Sequence, residues 1–120
     1  MVYTSATLSL AALEHFVHVE ASDAPNDLVT VAAEIPDGVS RARADARDLP
    51  RDWRRYPAPD ALAERGSRWV RTGGTAVLIV PSAIIPVEFN YLINPRHPDF
   101  TKIRVRQPER FSFDPRMWKG

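Results

Sequence analysis

The 120-residue chain contains no cysteine. That excludes a disulfide framework, a Cys-ligated zinc or iron–sulfur site and a thiol nucleophile, and it agrees with a reducing compartment. Lysine is scarce as well: two residues stand against fourteen arginines, a bias toward forked contacts with phosphate or carboxylate over diffuse solubilising charge. Glycine occurs only five times, so no flexible low-complexity tract is present. No Walker-type phosphate loop can be read, and Gly73-Gly74 is more simply a helix stop. Long apolar runs are missing too. The longest, Thr75-Ala76-Val77-Leu78-Ile79-Val80, falls far short of the ~20 residues of a membrane helix. No basic stretch followed by an apolar one opens the chain. The expectation is a soluble, unexported, cytoplasmic protein with no membrane partner.

What is present suits one globular domain spanning residues 1–120, with 44% hydrophobic and 26% charged residues in 13.5 kDa. A core of that size removes roughly two-thirds of the unfolded chain's surface from water, enough for stability without metal or disulfide. Eleven prolines punctuate the chain with rigid turns. The net charge of +1 hides a gradient. Residues 1–40 carry six acids and no lysine or arginine, residues 41–71 carry nine arginines against five acids, and residues 101–120 carry six bases against two acids. One acidic and one basic solvated face would produce this pattern, as would a cationic surface for a phosphate-bearing ligand or an acidic partner.

Val2-Tyr3-Thr4 reads as a short strand, either the tail of a longer element or an edge strand. Ser5 or Thr7 caps a helix over about 8–20, whose buried stripe holds Leu10, Leu13, Phe16 and Val17. Glu14 lies beside that stripe, where its carboxylate can point along a cleft. Asp23 to Asp27 form a turn, and Leu28 to Ile35 a strand. Residues 36–58 are expected to be irregular, with a short helical turn. A second helix runs from Asp60 to about Arg71 and stops at Gly73-Gly74. Thr75–Val80 is a strand whose unbroken apolar character predicts burial on both faces, and it leads into the loop Pro81-Ser82-Ala83-Ile84-Ile85-Pro86. Phe89–Asn94 is a further strand. Lys102–Arg106 is expected to pair with Arg110–Phe113 through a turn at Gln107-Pro108-Glu109. The class is α+β, with a mixed or antiparallel sheet and two main helices.

Most constellations are weak by themselves. His15 and His18 stand three apart, but no His-Glu-x-x-His pattern exists and His97 lies far off, so no metal site is expected. Arg104, Arg106 and Arg110 interleaved with Phe111 and Phe113 could face nucleic acid, yet a half-buried strand with one solvated face has the same alternation. The expectation is no direct nucleic-acid binding. Ser82 alone is a turn residue, and no Ser-His-Asp triad can be read.

The ordered combination is more specific. Val2-Tyr3-Thr4-Ser5, Leu8-x-x-x-x-Leu13-Glu14, Leu49-Pro50-x-x-Trp53, Gly66-x-x-Trp69, Val80-Pro81-Ser82-Ala83, Asn90-Tyr91-Leu92-Ile93-Asn94-Pro95-x-His97-Pro98 and Phe113-Asp114-x-Arg116 follow one another along the chain. This series resembles the RES domain family, toxins of bacterial type II toxin–antitoxin systems whose antitoxins carry an Xre-like DNA-binding region. The resemblance implies a fold like that of ADP-ribosyltransferase toxins, depletion of NAD+ by cleavage of its nicotinamide–ribose bond, and a cognate antitoxin as partner. It also implies a homodimer within a larger assembly. NAD+ is then substrate, and no prosthetic group is implied.

Carried over residue by residue, the family's glutamate falls on Glu14, its serine on Ser82, and the tyrosine eleven positions before the glutamate on Tyr3. The family's arginine belongs to a stretch upstream of that tyrosine, and this chain begins two residues before Tyr3. The alternative expectation is therefore a truncated, catalytically impaired module that retains antitoxin binding. The chemistry suits the residue types. Loss of nicotinamide builds positive charge on the ribose carbon, which a carboxylate such as Glu14 stabilises while it orients an acceptor water or phosphate. Tyr3 can meet the nicotinamide end, and Ser82 the ribose or a phosphate. Glu14, Tyr3 and Ser82 are the candidate catalytic residues, with Tyr3 and Ser82 also contacting NAD+.

Overall fold

A computed structural model describes residues 1–20, 22 and 26–118. Its centre is a four-stranded mixed sheet in the order β1-β6-β5-β4, built from β1 (Val2–Ser5), β4 (Arg41–Arg43), β5 (Val77–Pro81) and β6 (Phe89–Ile93). The short strands β2 (Val29–Thr30) and β3 (Ala33–Glu34) pair outside it with β8 (Glu109–Arg110) and β7 (Arg104–Val105), each antiparallel. Two helices, α1 (Leu8–Phe16) and α2 (Asp60–Thr72), complete the α+β architecture read from the sequence.

Apolar character decides the strand order. β5 carries Val77, Leu78, Ile79 and Val80 and takes an inner position, antiparallel to β6 and parallel to β4. Residues directly opposite in such a ladder share a face. Val77, Ile79, Phe89 and Tyr91 therefore point one way, and they pack with Val39, Ala76, Ile35 and Ile103 as the hydrophobic core. The other face carries Leu78, Val80, Asn90 and Leu92, extended onto β1 by Tyr3 and Ser5. Burial along β5 alternates between buried and half-buried, so the expected burial on both faces is complete on one and partial on the other.

Both helices end where local chemistry stops them. Thr7 caps α1, its Oγ1 accepting the Leu10 N–H at 3.2 Å, as the sequence suggested. The helix ends at Phe16, four residues before the expected limit, and Val17 is exposed. Phe16 anchors that end against Trp118 and Phe113, at ring-centroid distances of 4.7 and 5.6 Å. α2 stops at Gly73, which takes the left-handed conformation at φ 65° and returns its N–H to the Trp69 carbonyl. Its Gly66 is buried against the Met1 side chain, where an added Cβ would come within 3.3 Å of Met1 Cε.

Three further expectations are corrected. The single strand over 28–35 is divided into β2 and β3, and residues 41–43 of the supposedly irregular segment form β4. The hairpin between 102–106 and 110–113 does not form. Each arm pairs instead with the 29–34 segment, so long-range pairing prevails over the local proline turn. The helical turn expected in that irregular segment is present at Ala46–Asp48. Of the turn expected at Asp23–Asp27, residues 23–25 lie outside the described residues.

Candidate active site

One end of the sheet gathers polar side chains on the second face. There β1 and β5 finish and β6 begins, so Ser5, Ser82 and Asn90 meet although the chain separates them widely. Glu14 descends onto them from α1. Its Oε2 accepts a hydrogen bond from Ser82 Oγ at 3.0 Å and another from Asn90 Nδ2 at 2.5 Å. Ser5 Oγ donates to Asn90 Oδ1 at 2.8 Å, fixing the amide with its nitrogen toward the carboxylate. Among the described residues nothing donates to Glu14 Oε1. The half-buried carboxylate is thus held by one oxygen and keeps the other for a ligand.

Ser82 is fully buried. Its hydroxyl accepts the backbone N–H groups of Ile84 and Ile85, each at 3.1 Å, while donating to Glu14. A hydroxyl has one proton and two lone pairs, so Ser82 is fully committed. It shapes the proline-bracketed loop and aims Glu14. Tyr3 differs from both. It lies on the same face as Ser5 and Asn90, but its side chain is 70% exposed on the edge strand.

Tyr3 and Ser5 also line a cavity of about 740 Å³ that runs between the β1–α1 corner and the strands of the two short ladders. Arg41, Tyr91, Arg106 and Phe113 contribute to its walls, whereas Glu14 and Ser82 do not. Of its two arginines, Arg106 pairs with Glu34 at 3.3 Å and Arg41 donates to the Pro36 and Val39 carbonyls. In the Ser82 loop, the Ala83 carbonyl accepts from Arg54 Nε at 2.8 Å. The Tyr56 ring lies tilted against His18 at a centroid distance of 5.9 Å, which joins the same segment to the turn after α1.

The constellations set aside in the sequence have other engagements. His15 stacks on Phe113 and His18 lies tilted against Tyr56, so the two histidines turn to different neighbours. Phe111 and Phe113 pack edge to face at 5.3 Å in the aromatic cluster behind α1 and do not form an exposed stacking platform. A second carboxylate, Asp99, sits at the far end of the sheet. It accepts the Ser40 N–H at 2.9 Å and pairs with Lys102 at 3.2 Å. The Ser40 backbone hydrogen bond, with help from the Ser40 side chain and Lys102, holds its carboxyl down at about 2.

Sequence reasoning named Glu14, Ser82 and Tyr3 but missed Asn90 and Ser5. The available signal was a polar amide within the otherwise apolar strand Phe89–Ile93, on a register position facing a Ser of the edge strand. Polar side chains in such positions require a partner, and here the partner is the candidate carboxylate.

Known proteins place the chain among toxins. The family model described as the RES domain matches residues 1–114. A Sphingobium protein (strain YBL2) named "Prs ADP-ribosylating toxin" is 40% identical over 119 residues, covering 98% of this chain and 74% of that one. Proteins named "Toxin Res" are 36% identical in Yersinia enterocolitica, over 97% of this chain and 76% of the relative, and 35% identical in Pseudomonas putida, over 98% and 79%.

Proposed function

The chain belongs to the RES domain family of toxins, and from that premise we propose that it consumes NAD+ by breaking the nicotinamide–ribose bond at Glu14. The observation that carries this reading is the meeting of Glu14, Ser82 and Asn90 on one carboxylate oxygen with the other left free. As nicotinamide departs as a neutral ring, the ribose carbon acquires oxocarbenium character, and the free oxygen of Glu14 stabilises it. Water then attacks that carbon and releases one proton to solvent, yielding ADP-ribose, or phosphate attacks through an anionic oxygen, yielding its phosphate ester. Tyr3, exposed on the same sheet face, offers a ring to the nicotinamide. Ser82 and Asn90 hold the carboxylate during the reaction. A cognate antitoxin with an Xre-like region would neutralise the toxin by covering this end of the sheet in the cytoplasm.

A second acceptor has a specific reason behind it. The 40%-identical Sphingobium relative is named as ADP-ribosylating, so transfer of ADP-ribose to a protein is the competing outcome of the same bond cleavage. Expression of the toxin with and without Glu14→Ala tests the common step: cellular NAD+ falls only with the unmodified chain. An equal fall in both defeats the reading. NAD+ that stays level in both while antitoxin binding persists points to the impaired module. Incubation of purified protein with NAD+, with and without phosphate or bacterial lysate, then identifies the acceptor.

A further inference from the structure

A dinucleotide carries two phosphate charges, and a carboxylate beside its ribose repels them unless a cation stands nearby. Around Glu14 the contacts close into a ring. Glu14 bonds to Ser82; the next residue, Ala83, accepts from Arg54; two residues after Arg54, the Tyr56 ring lies tilted against His18; and His18 stands in the turn that follows α1, four residues after Glu14. Arg54 is the cation in that ring. Only its Nε is used, at 2.8 Å to the Ala83 carbonyl, and among the described residues its Nη1 and Nη2 have no partner. Four N–H donors of a planar fork therefore stand free and exposed beside the Ser82 loop. Its neighbour Arg55 differs in this respect, being turned to Asp52 at 3.8 Å. Tyr56, 81% exposed, adds an aromatic side chain on the same segment, beside His18.

We propose that Arg54, anchored on the Ala83 carbonyl, grips the pyrophosphate of the dinucleotide whose ribose lies at Glu14. This rests on the NAD+ reading above and supplies the phosphate contact that reading lacks. The backbone anchor sets the guanidinium in place before the ligand arrives, so less side-chain freedom is lost on binding.

The test is binding of ADP-ribose and of adenosine, which lacks phosphate, to the full chain by calorimetry. Arg54→Gln keeps a donor for the Ala83 carbonyl and removes the charge, and Arg54→Ala removes both. Loss of a charge-assisted phosphate contact weakens ADP-ribose binding roughly 10- to 100-fold in either variant. Adenosine binding is unchanged, and Arg55→Ala, with the same loss of charge, stays within about twofold. The proposal is overturned if Arg54→Gln binds ADP-ribose like the unmodified chain, if adenosine is weakened equally, if Arg55→Ala has the same effect, or if the unmodified chain does not bind ADP-ribose. The NAD+ reading fails separately: ADP-ribose binding that depends on Arg54, without any release of nicotinamide from NAD+, defeats the reaction and leaves the phosphate contact standing.

Discussion

Two carboxylates occupy opposite ends of the same four-stranded sheet, and they are held in different ways. Asp99 takes a backbone N–H from Ser40 and an ion pair from Lys102, and Ser40 in turn gives its Oγ to the Ala76 N–H beside the start of β5. Two of these contacts tie a side chain to a backbone N–H, and the third is an ion pair within one helical turn. Glu14 takes only neutral side-chain donors, both on a single oxygen, from residues 68 and 76 positions away. The first arrangement closes the fold at that end. The second orients a charge and leaves half of it available, as a carboxylate that must meet a passing positive charge requires.

That contrast can be broken from either end. Among the residues that support Glu14, the largest effect is expected from Asn90→Ala, which removes the shortest bond to Glu14 and leaves Ser5 without its partner. Loss of a supporting group of this kind lowers turnover roughly 10- to 100-fold, with KM nearly unchanged in steady-state assays of nicotinamide release. Ser82→Ala comes next. It frees the carboxylate and strips two half-buried N–H groups of their acceptor, so turnover falls roughly tenfold and stability by about 1 kcal/mol in denaturant titration. Both numbers must move, because the hydroxyl serves loop and carboxylate together.

Asp99→Asn is expected to act on stability alone. The carboxyl sits at about 2 in the folded protein against an ordinary 3.8, so its folded form is favoured above pH about 4. That contribution is lost as pH falls through 4 toward 2. The variant has a lower melting temperature at neutral pH and a shallower loss of stability between pH 4 and 2, with turnover per folded molecule unchanged. Ser5→Ala has the smallest effect, a few-fold loss of turnover, because Asn90 keeps its bond to Glu14.

The same contrast separates what could be read in the chain from what could not. Glu14, Ser82 and Tyr3 were reached through the family resemblance of the ordered motifs, and both helices announce their starts or stops through Thr7 and Gly73. Asn90 and Ser5 acquire meaning only through the register of β1 on β6, which no local pattern specifies. β4 was hidden for a similar reason. Arg41-Ala42-Arg43 has one small apolar residue, and its pairing is a parallel contact with β5, 36 positions away. The 102–113 segment was misread because Pro108 suggested a local hairpin, while the segment 29–34 offered a more distant partner to each arm. Capping and turn chemistry act within a few residues, and strand pairing across the chain overrides them.

The most direct test sets the two carboxylates against each other. Nicotinamide release from NAD+ is measured for the unmodified chain, Glu14→Gln and Asp99→Asn at equal concentrations of folded protein. The predicted result is a fall of roughly 10²-fold or more for Glu14→Gln, with Asp99→Asn unchanged. Nicotinamide release that survives Glu14→Gln, or that falls equally in both variants, would contradict the assignment of the chemistry to the Glu14 end of the sheet.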